Sequence, residues 1–187
     1  MKFSMKKVTV LLADGFEEIE ALTVVDLLRR AKVYVDTVSI TDDYTVRGAH
    51  GIPVQTEDLI TEIDFKESDM IVLPGGMPGT TNLKEDENVR KAVQEAYDDG
   101  RYVAAICAAP TILAGMGLLK GKRATCYPDM ESEIEDAYLT GAPVATDENI
   151  ITSQGVGTAI DFALKLIEVL ISEEKAVEIA DSIVYQR

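Results

Sequence analysis

Three stretches of the chain carry residues whose type and spacing could do chemistry. The first is Tyr102-Val103-Ala104-Ala105-Ile106-Cys107-Ala108-Ala109-Pro110, where small and apolar residues lead into a single cysteine. A near-continuous apolar run reads as a buried parallel strand, and Pro fits the first turn of a helix. The change from strand to helix therefore falls at Cys107. That sets its thiol at the C-terminal edge of a sheet and at the N-terminus of a helix. Ligands of open α/β sheets bind at that edge, and a helix N-terminus favours a thiolate. Two readings stay open: a reactive thiol on a sharp turn, like the serine elbow of α/β-hydrolases, or a buried small apolar side chain.

The second stretch, Asp14 to Glu20, supplies the carboxylates Glu17, Glu18 and Glu20. Acidic residues in a first helical turn ordinarily just complement the dipole. Glu20 differs, because Ile19 and Ala21 flank it and it reads as partly buried. Beside a thiolate it would titrate jointly with the sulfur, staying protonated and hydrogen-bonding it. The third stretch, Gly75-Gly76-Met77-Pro78-Gly79, matches neither P-loop nor dinucleotide-fold spacing. Its successive N–H groups, from Gly75 and Gly76 onward, could form an anion nest or oxyanion hole; the other reading is a tight turn needing positive φ. Gly155-Val156-Gly157 offers a further anion site or simply helix-start geometry. Cys126 is a resolving thiol or a buried structural one. A lone histidine, His50, and two isolated cysteines cannot build a usual zinc site, so no metal is expected.

These residues need a scaffold, and the chain alternates strand and helix patterns. Strands are expected at Lys6–Ala13, Val33–Ile40, Asp69–Pro74, Tyr102–Ile106 and Arg123–Tyr127. A hairpin is expected within Thr41–Thr56, and paired short strands across Pro143–Thr152 around Asp147-Glu148-Asn149. Helices are expected at Phe16–Ala31, Asp86–Asp99 (closed by Gly100), Ala108–Leu119, Thr158–Ile171 and Glu173–Val184. Such alternation argues for a doubly wound, mostly parallel α/β sheet, which would bring the three loops around one crevice. In the first helix Ile19, Leu22, Val25 and Leu28 share a face that Val24, Leu27 and Ala31 widen. A helix apolar on more than one side is buried twice, against the sheet and against either a second subunit or another part of the chain.

The 187 residues suffice for a single domain, with no repeat, low-complexity tract or linker between 1 and 187. A formal net charge of -15 argues against nucleic acid and anionic membranes as partners. No apolar run approaches the ~18 residues of a membrane helix. Met1–Lys7 runs straight into a strand rather than a signal peptide. Two cysteines outside any CxxC pair fit a reducing compartment, so a cytoplasmic location is expected.

Taken together, Ala13-Asp14-Gly15-Phe16-Glu17-Glu18-Ile19-Glu20, Leu73-Pro74-Gly75-Gly76-Met77-Pro78-Gly79, Ala105-Ile106-Cys107-Ala108-Ala109-Pro110 and Thr152-Ser153-Gln154-Gly155-Val156-Gly157-Thr158-Ala159 resemble the ThiJ/PfpI superfamily, with its class I glutamine amidotransferase-like domain. The resemblance is strongest to the branch of the parkinsonism-associated redox protein and its bacterial relatives. It implies a flavodoxin-like α/β sandwich, forming a homodimer through the first helix. It matches Cys107 to the family's nucleophilic, oxidation-sensitive cysteine and Glu20 to the protonated glutamate bonded to that sulfur. Gly76 and Ala108 match the positions whose N–H groups line the pocket. The implied activities are cofactor-independent glyoxalase or deglycase chemistry on methylglyoxal-like 2-oxoaldehydes, redox-regulated chaperoning, and oxidative-stress sensing.

One departure is plain. Where this branch often has a histidine near the cysteine, this chain reads Thr125-Cys126-Tyr127-Pro128, so Tyr127 replaces it. Tyrosine, with an unperturbed pKa of about 10, is a poor base at neutral pH. A cysteine peptidase therefore loses its base, and proton transfer falls to Glu20 and water. His50 either faces the pocket or lies on the surface.

Overall fold

A computed structural model describes residues 5–186. Met1–Ser4, part of the stretch read as leading directly into the first strand, lie outside the described residues. In chain order the first half comprises β1 (Lys7–Leu12), α1 (Glu18–Arg30), β2 (Tyr34–Ser39), β3 (Thr45–Arg47), β4 (Pro53–Gln55), β5 (Asp58–Leu59), β6 (Met70–Leu73), α2 (Gly79–Glu85) and α3 (Glu87–Asp98). The second half comprises β7 (Tyr102–Ile106), α4 (Pro110–Gly115), β8 (Arg123–Ala124), β9 (Tyr138–Leu139), β10 (Val144–Asp147), β11 (Ile150–Ser153), α5 (Ala159–Leu170) and α6 (Glu173–Ser182).

The strands that read as apolar runs form one seven-stranded sheet in the order β10-β11-β7-β6-β1-β2-β5. Every pairing is parallel except β10 with β11, which turn back on each other. Alternation within β1 divides the core. Val8, Val10 and Leu12 face α1, α5 and α6, where Val24, Leu28, Phe162 and Ile167 are buried. Leu11 and Ala13 face the layer of α2, α3 and α4, where Leu83, Val93 and Leu113 are buried. Helices on both faces bury a parallel sheet completely, and this makes the fold the expected flavodoxin-like, doubly wound sandwich. The strand order reverses between β1 and β6, the crevice where such sheets bind ligands.

Several local expectations differ from the structure. The helix expected over Ala108–Leu119 ends at Gly115, because the chain turns through Met116-Gly117, with the Leu118 N–H returning to the Leu113 carbonyl at 3.0 Å. The strand expected over Arg123–Tyr127 is only β8, which pairs with β9 outside the main sheet. Beyond it the chain is tied by single hydrogen bonds, from the Thr125 N–H to Thr152 Oγ1 and from the Tyr127 N–H to the Cys107 carbonyl. The short α2 and β5 carry no long apolar pattern and were not expected. In α1, Val25 and Leu28 are buried while Ile19 and Leu22 are exposed. The core therefore covers the face these four share only along Val25 and Leu28.

Candidate active site

Cys107 follows β7 directly, and the Ala109 N–H closes a turn onto the Ile106 carbonyl before Pro110 begins α4. The cysteine has φ 65, a left-handed conformation that costs a non-glycine residue on the order of 1–3 kcal/mol. Hydrogen bonds on both sides hold it there: its N–H donates to the Ser153 carbonyl at 3.0 Å and its carbonyl accepts from Tyr127 at 2.8 Å. The N–H groups of Ala108 and Gly76 approach the sulfur, so both expected donors meet at one atom.

Gly75 differs from its expected place among the oxyanion donors. Its N–H is committed to Glu20 Oε2, at 2.9 Å in a buried setting. A Cβ at Gly75 would lie 2.6 Å from both Cys107 Cβ and Glu20 Oε2, so glycine is required here by close approach. Gly76 has φ 92, which glycine alone adopts readily, and its missing Cβ leaves room for the Glu17 N–H. These two glycines let the β6 loop thread between the α1 loop and the cysteine turn.

Glu20 is buried on the inner face of α1. Its carboxyl sits beside the Cys107 side chain and interacts with it, while Oε1 is buried without a hydrogen-bond partner. Burial pushes its pKa up to about 7; the bonds from Cys107 and Gly75 oppose this, and the charge of Glu17 adds to it. Burial and the Glu20 charge also push the Cys107 thiol up, against the Ala108 and Gly76 N–H groups, which favour thiolate. The two groups thus compete for one proton. When Glu20 holds it, the charge that opposes thiolate formation disappears and the two N–H groups stabilise the sulfur anion. These two donors favour a protonated Glu20 beside a thiolate, against burial and the Glu20 charge, which push the thiol up to about 12.

The cysteine opens into a cavity of about 470 Å³ lined by Glu17, Glu20, Gly76, Tyr127, Gln154 and Gly155, with Pro128 and Val156–Thr158 at its edge. Tyr127 and Gly155 are therefore at the pocket, and a Cβ on Gly155 would touch Tyr127, Glu20 and the sulfur. The Thr158 hydroxyl fixes that loop by bonding Ser153 Oγ at 2.7 Å and accepting from the Gly155 N–H at 3.1 Å. His50 is not among the lining residues. It stands 68% exposed at the rim, with Nδ1 2.9 Å from Glu18 Oε2 and 3.5 Å from Glu17 Oε2. Cys126 is fully buried, its sulfur 3.3 Å from the Tyr127 carbonyl, and burial pushes its thiol up to about 11. That is the inert structural reading.

Glu17 and Glu18 have more to do than complement a dipole. Glu18 is buried and accepts the His50 N–H at 2.8 Å, the Ile52 N–H at 3.4 Å and the His50 ring. The β3–β4 loop is folded over this carboxylate. Glu17, Glu18 and His50 also bring three potential metal-ligand atoms within 4.8 Å of one another, a grouping that counting histidines and cysteines passes over. The ring and Glu18 already satisfy each other there, so the grouping reads as an ion pair. No local signal marks either role, because the loop that creates them lies some thirty residues further along the chain.

A parallel sandwich with a strained cysteine turn, a partnered buried glutamate and a glycine-rich donor loop defines a nucleophile-elbow protein of the flavodoxin-like class. Residues 6–169 match the DJ-1/PfpI family model, and the chain belongs to that family. It is 40% identical to the Arabidopsis thaliana protein DJ-1 homolog B over 98% of this chain, although it spans only 42% of that protein's length. It is 34% identical to the glutathione-independent glyoxalase DJ-1 of Schizosaccharomyces pombe, covering 91% of this chain and 94% of the relative. The solved structure of oxidized Toxoplasma gondii DJ-1 superposes with a TM-score of 0.92 at 36% identity, covering 97% of this chain and all of that one. Among the described residues no helix is long and apolar enough to cross a membrane.

Proposed function

We propose that this protein is a cofactor-independent, Cys107-dependent glyoxalase or deglycase-type enzyme acting on methylglyoxal-like 2-oxoaldehydes or their adducts. The observation that carries the reading is the Cys107–Glu20 pair at the pocket floor, with the Gly76 and Ala108 N–H groups at the sulfur. The glyoxalase relative supports the substrate class.

The thiolate adds to the aldehyde carbon, and the oxygen formed takes up the proton to give a hemithioacetal. The Gly76 and Ala108 N–H groups stabilise that oxygen while it is anionic. Glu20, ionised by then, removes the hydrogen on the former aldehyde carbon and returns a proton to the adjacent carbon, converting the adduct to a thioester. Water cleaves the thioester, releasing lactate and the thiol. Oxidation at one carbon balances reduction at its neighbour, so no external redox partner is needed. Tyr127 lines the pocket without acting as base. The test is rapid acid quenching during turnover of methylglyoxal, followed by peptide mass spectrometry. A lactoyl thioester on the Cys107 peptide is expected, and turnover with that peptide unmodified throughout would refute the covalent route.

Oxidation sensing is the second reading, favoured by the solved oxidized relative. Peroxide would convert the Cys107 thiolate to sulfenate and, with a second equivalent, to sulfinate, releasing water. A protonated Glu20 and the two N–H groups would hold the sulfinate oxygens. Sulfinate confined to Cys107 after mild peroxide is expected. The same chain is proposed to work as a cytoplasmic homodimer, with the exposed Ile19 and Leu22 of α1 in the interface.

A further inference from the structure

We propose that Glu17 makes the Cys107 pocket selective by charge, admitting neutral and cationic carbonyl compounds and excluding anionic ones such as 2-oxo acids and phosphorylated aldehydes. As a statement about substrates this rests on the glyoxalase-type reading; as a statement about what reaches the sulfur it does not.

Both charged side chains that line the cavity are carboxyls, Glu17 and Glu20, and no Lys, Arg or His is among the lining residues. The Glu17 side chain is only 12% exposed, so its field acts largely through protein rather than water. It is felt at the centre of the site, since its charge is one of the causes that raise Glu20. The cation nearest to it is His50, at 3.5 Å, but that ring lies closer to Glu18, at 2.9 Å, and is largely in solvent. One imidazole between two carboxylates leaves the mouth negative even when it is protonated.

The role of Glu17 as N-cap of α1 does not account for this placement. The cap bond, from the Ile19 N–H to Oε1, is 3.5 Å long, and the oxygen near His50 is the other one. The donors at the sulfur cannot offset a charged substrate either. The Gly76 and Ala108 N–H groups are neutral dipoles aimed at Sγ, suited to an oxyanion formed on the attacked carbon rather than to a permanent charge on the far end of the molecule. Acidic groups farther off are screened beyond roughly 8 Å at physiological salt. Nearer by, Glu18 does not line the cavity and is paired with the His50 ring at 2.9 Å, and Glu20 shares its proton with Cys107, so Glu17 is the lining carboxylate left to act on an entering charge.

The experiment is the rate of Cys107 alkylation by iodoacetamide and by iodoacetate, which match in size and differ in charge. It is read by peptide mass spectrometry on the whole protein, with lactate formation from methylglyoxal measured on the same samples. Wild type is expected to favour iodoacetamide over iodoacetate by about five-fold more than free cysteine does, and Glu17→Gln to erase most of that excess. Glu17→Asp is expected to keep it, and raised salt to shrink it in wild type. A structural effect of Glu17, or an effect on sulfur reactivity, would move both reagents together and leave the ratio unchanged. An unchanged ratio in Glu17→Gln therefore overturns the proposal, even if methylglyoxal is turned over. A shifted ratio in a protein that forms no lactate upholds charge selection and removes the enzymatic reading instead.

Discussion

Cys107 and Glu20 hold one proton between them in a site that can solvate little charge, and stability should report this. Glu20 is raised from 4.5 to about 7 on folding, chiefly by burial. Below pH 4 both folded and unfolded chains carry the proton and the group is neutral in its effect. As pH rises, the unfolded chain ionises first and the folded state is penalised, up to about 3 kcal/mol above pH 7. Glu20→Gln is therefore expected to be more stable than wild type at pH 8 and to lose that advantage toward pH 4, as measured by urea unfolding across the range. Gly75→Ala tests packing at the same spot. Its Cβ would meet Cys107 and Glu20 at 2.6 Å, so a loss of about 1–3 kcal/mol, together with most of the turnover, is expected from denaturation and activity assays.

Among the elements, the N-terminal turn of α1 does the most to assemble the site, since it carries Glu17 and Glu20 to the pocket and buries Glu18 under the β3–β4 loop. Burial pushes the Glu18 carboxyl up, but the His50 ring and the backbone N–H groups of His50 and Ile52 outweigh it and hold the carboxyl below its usual range. A depressed carboxyl stabilises the fold above its unfolded pKa and loses that contribution as pH falls through the folded value. Glu18→Ala is expected to cost about 1 kcal/mol at pH 7, from part-buried N–H groups that lose their charged acceptor, and less at pH 3 by the same denaturation assay. This element also shows where sequence reasoning stops. Glu20 was legible because it interrupts an apolar stripe. Glu18 was not, because a first-turn acid looks the same whether solvent or a distant loop covers it. The elbow at Cys107 was legible for the opposite reason: an apolar strand and a proline-started helix abut within a few residues, so purely local signals place it. Gly75 reads as one of several glycines, and only the approach of Cys107 and Glu20 separates its task from that of Gly76.

For the whole molecule, the alternation of apolar strands with helices was enough to predict the parallel sandwich, since each long strand of the main sheet carries its own pattern. The pieces that escaped, α2, β5 and β9, are too short to display a period and owe their conformation to neighbours, and β8 is only the first two residues of the strand expected from Arg123. In α1 periodicity registers the apolar side chains on more than one side without telling which layer covers each. Ile19 and Leu22 are 51% and 36% exposed, an apolar strip beside the pocket that a second subunit would cover. Leu22→Glu is expected to dissociate the proposed homodimer in sedimentation experiments, since a charge buried in an interface without a partner costs several kcal/mol. A monomeric wild type would remove that part of the account.

Cys107 and Glu20 together are proposed to turn over a small 2-oxoaldehyde without a cofactor. The most direct test is lactate formation from methylglyoxal, with no glutathione added, by wild type, Cys107→Ala and Glu20→Gln side by side. Lactate is expected from the wild type, none above background from Cys107→Ala, and a loss of roughly 10²–10⁴-fold from Glu20→Gln. Turnover that persists in Cys107→Ala, or a wild type that forms no lactate, would contradict this proposal.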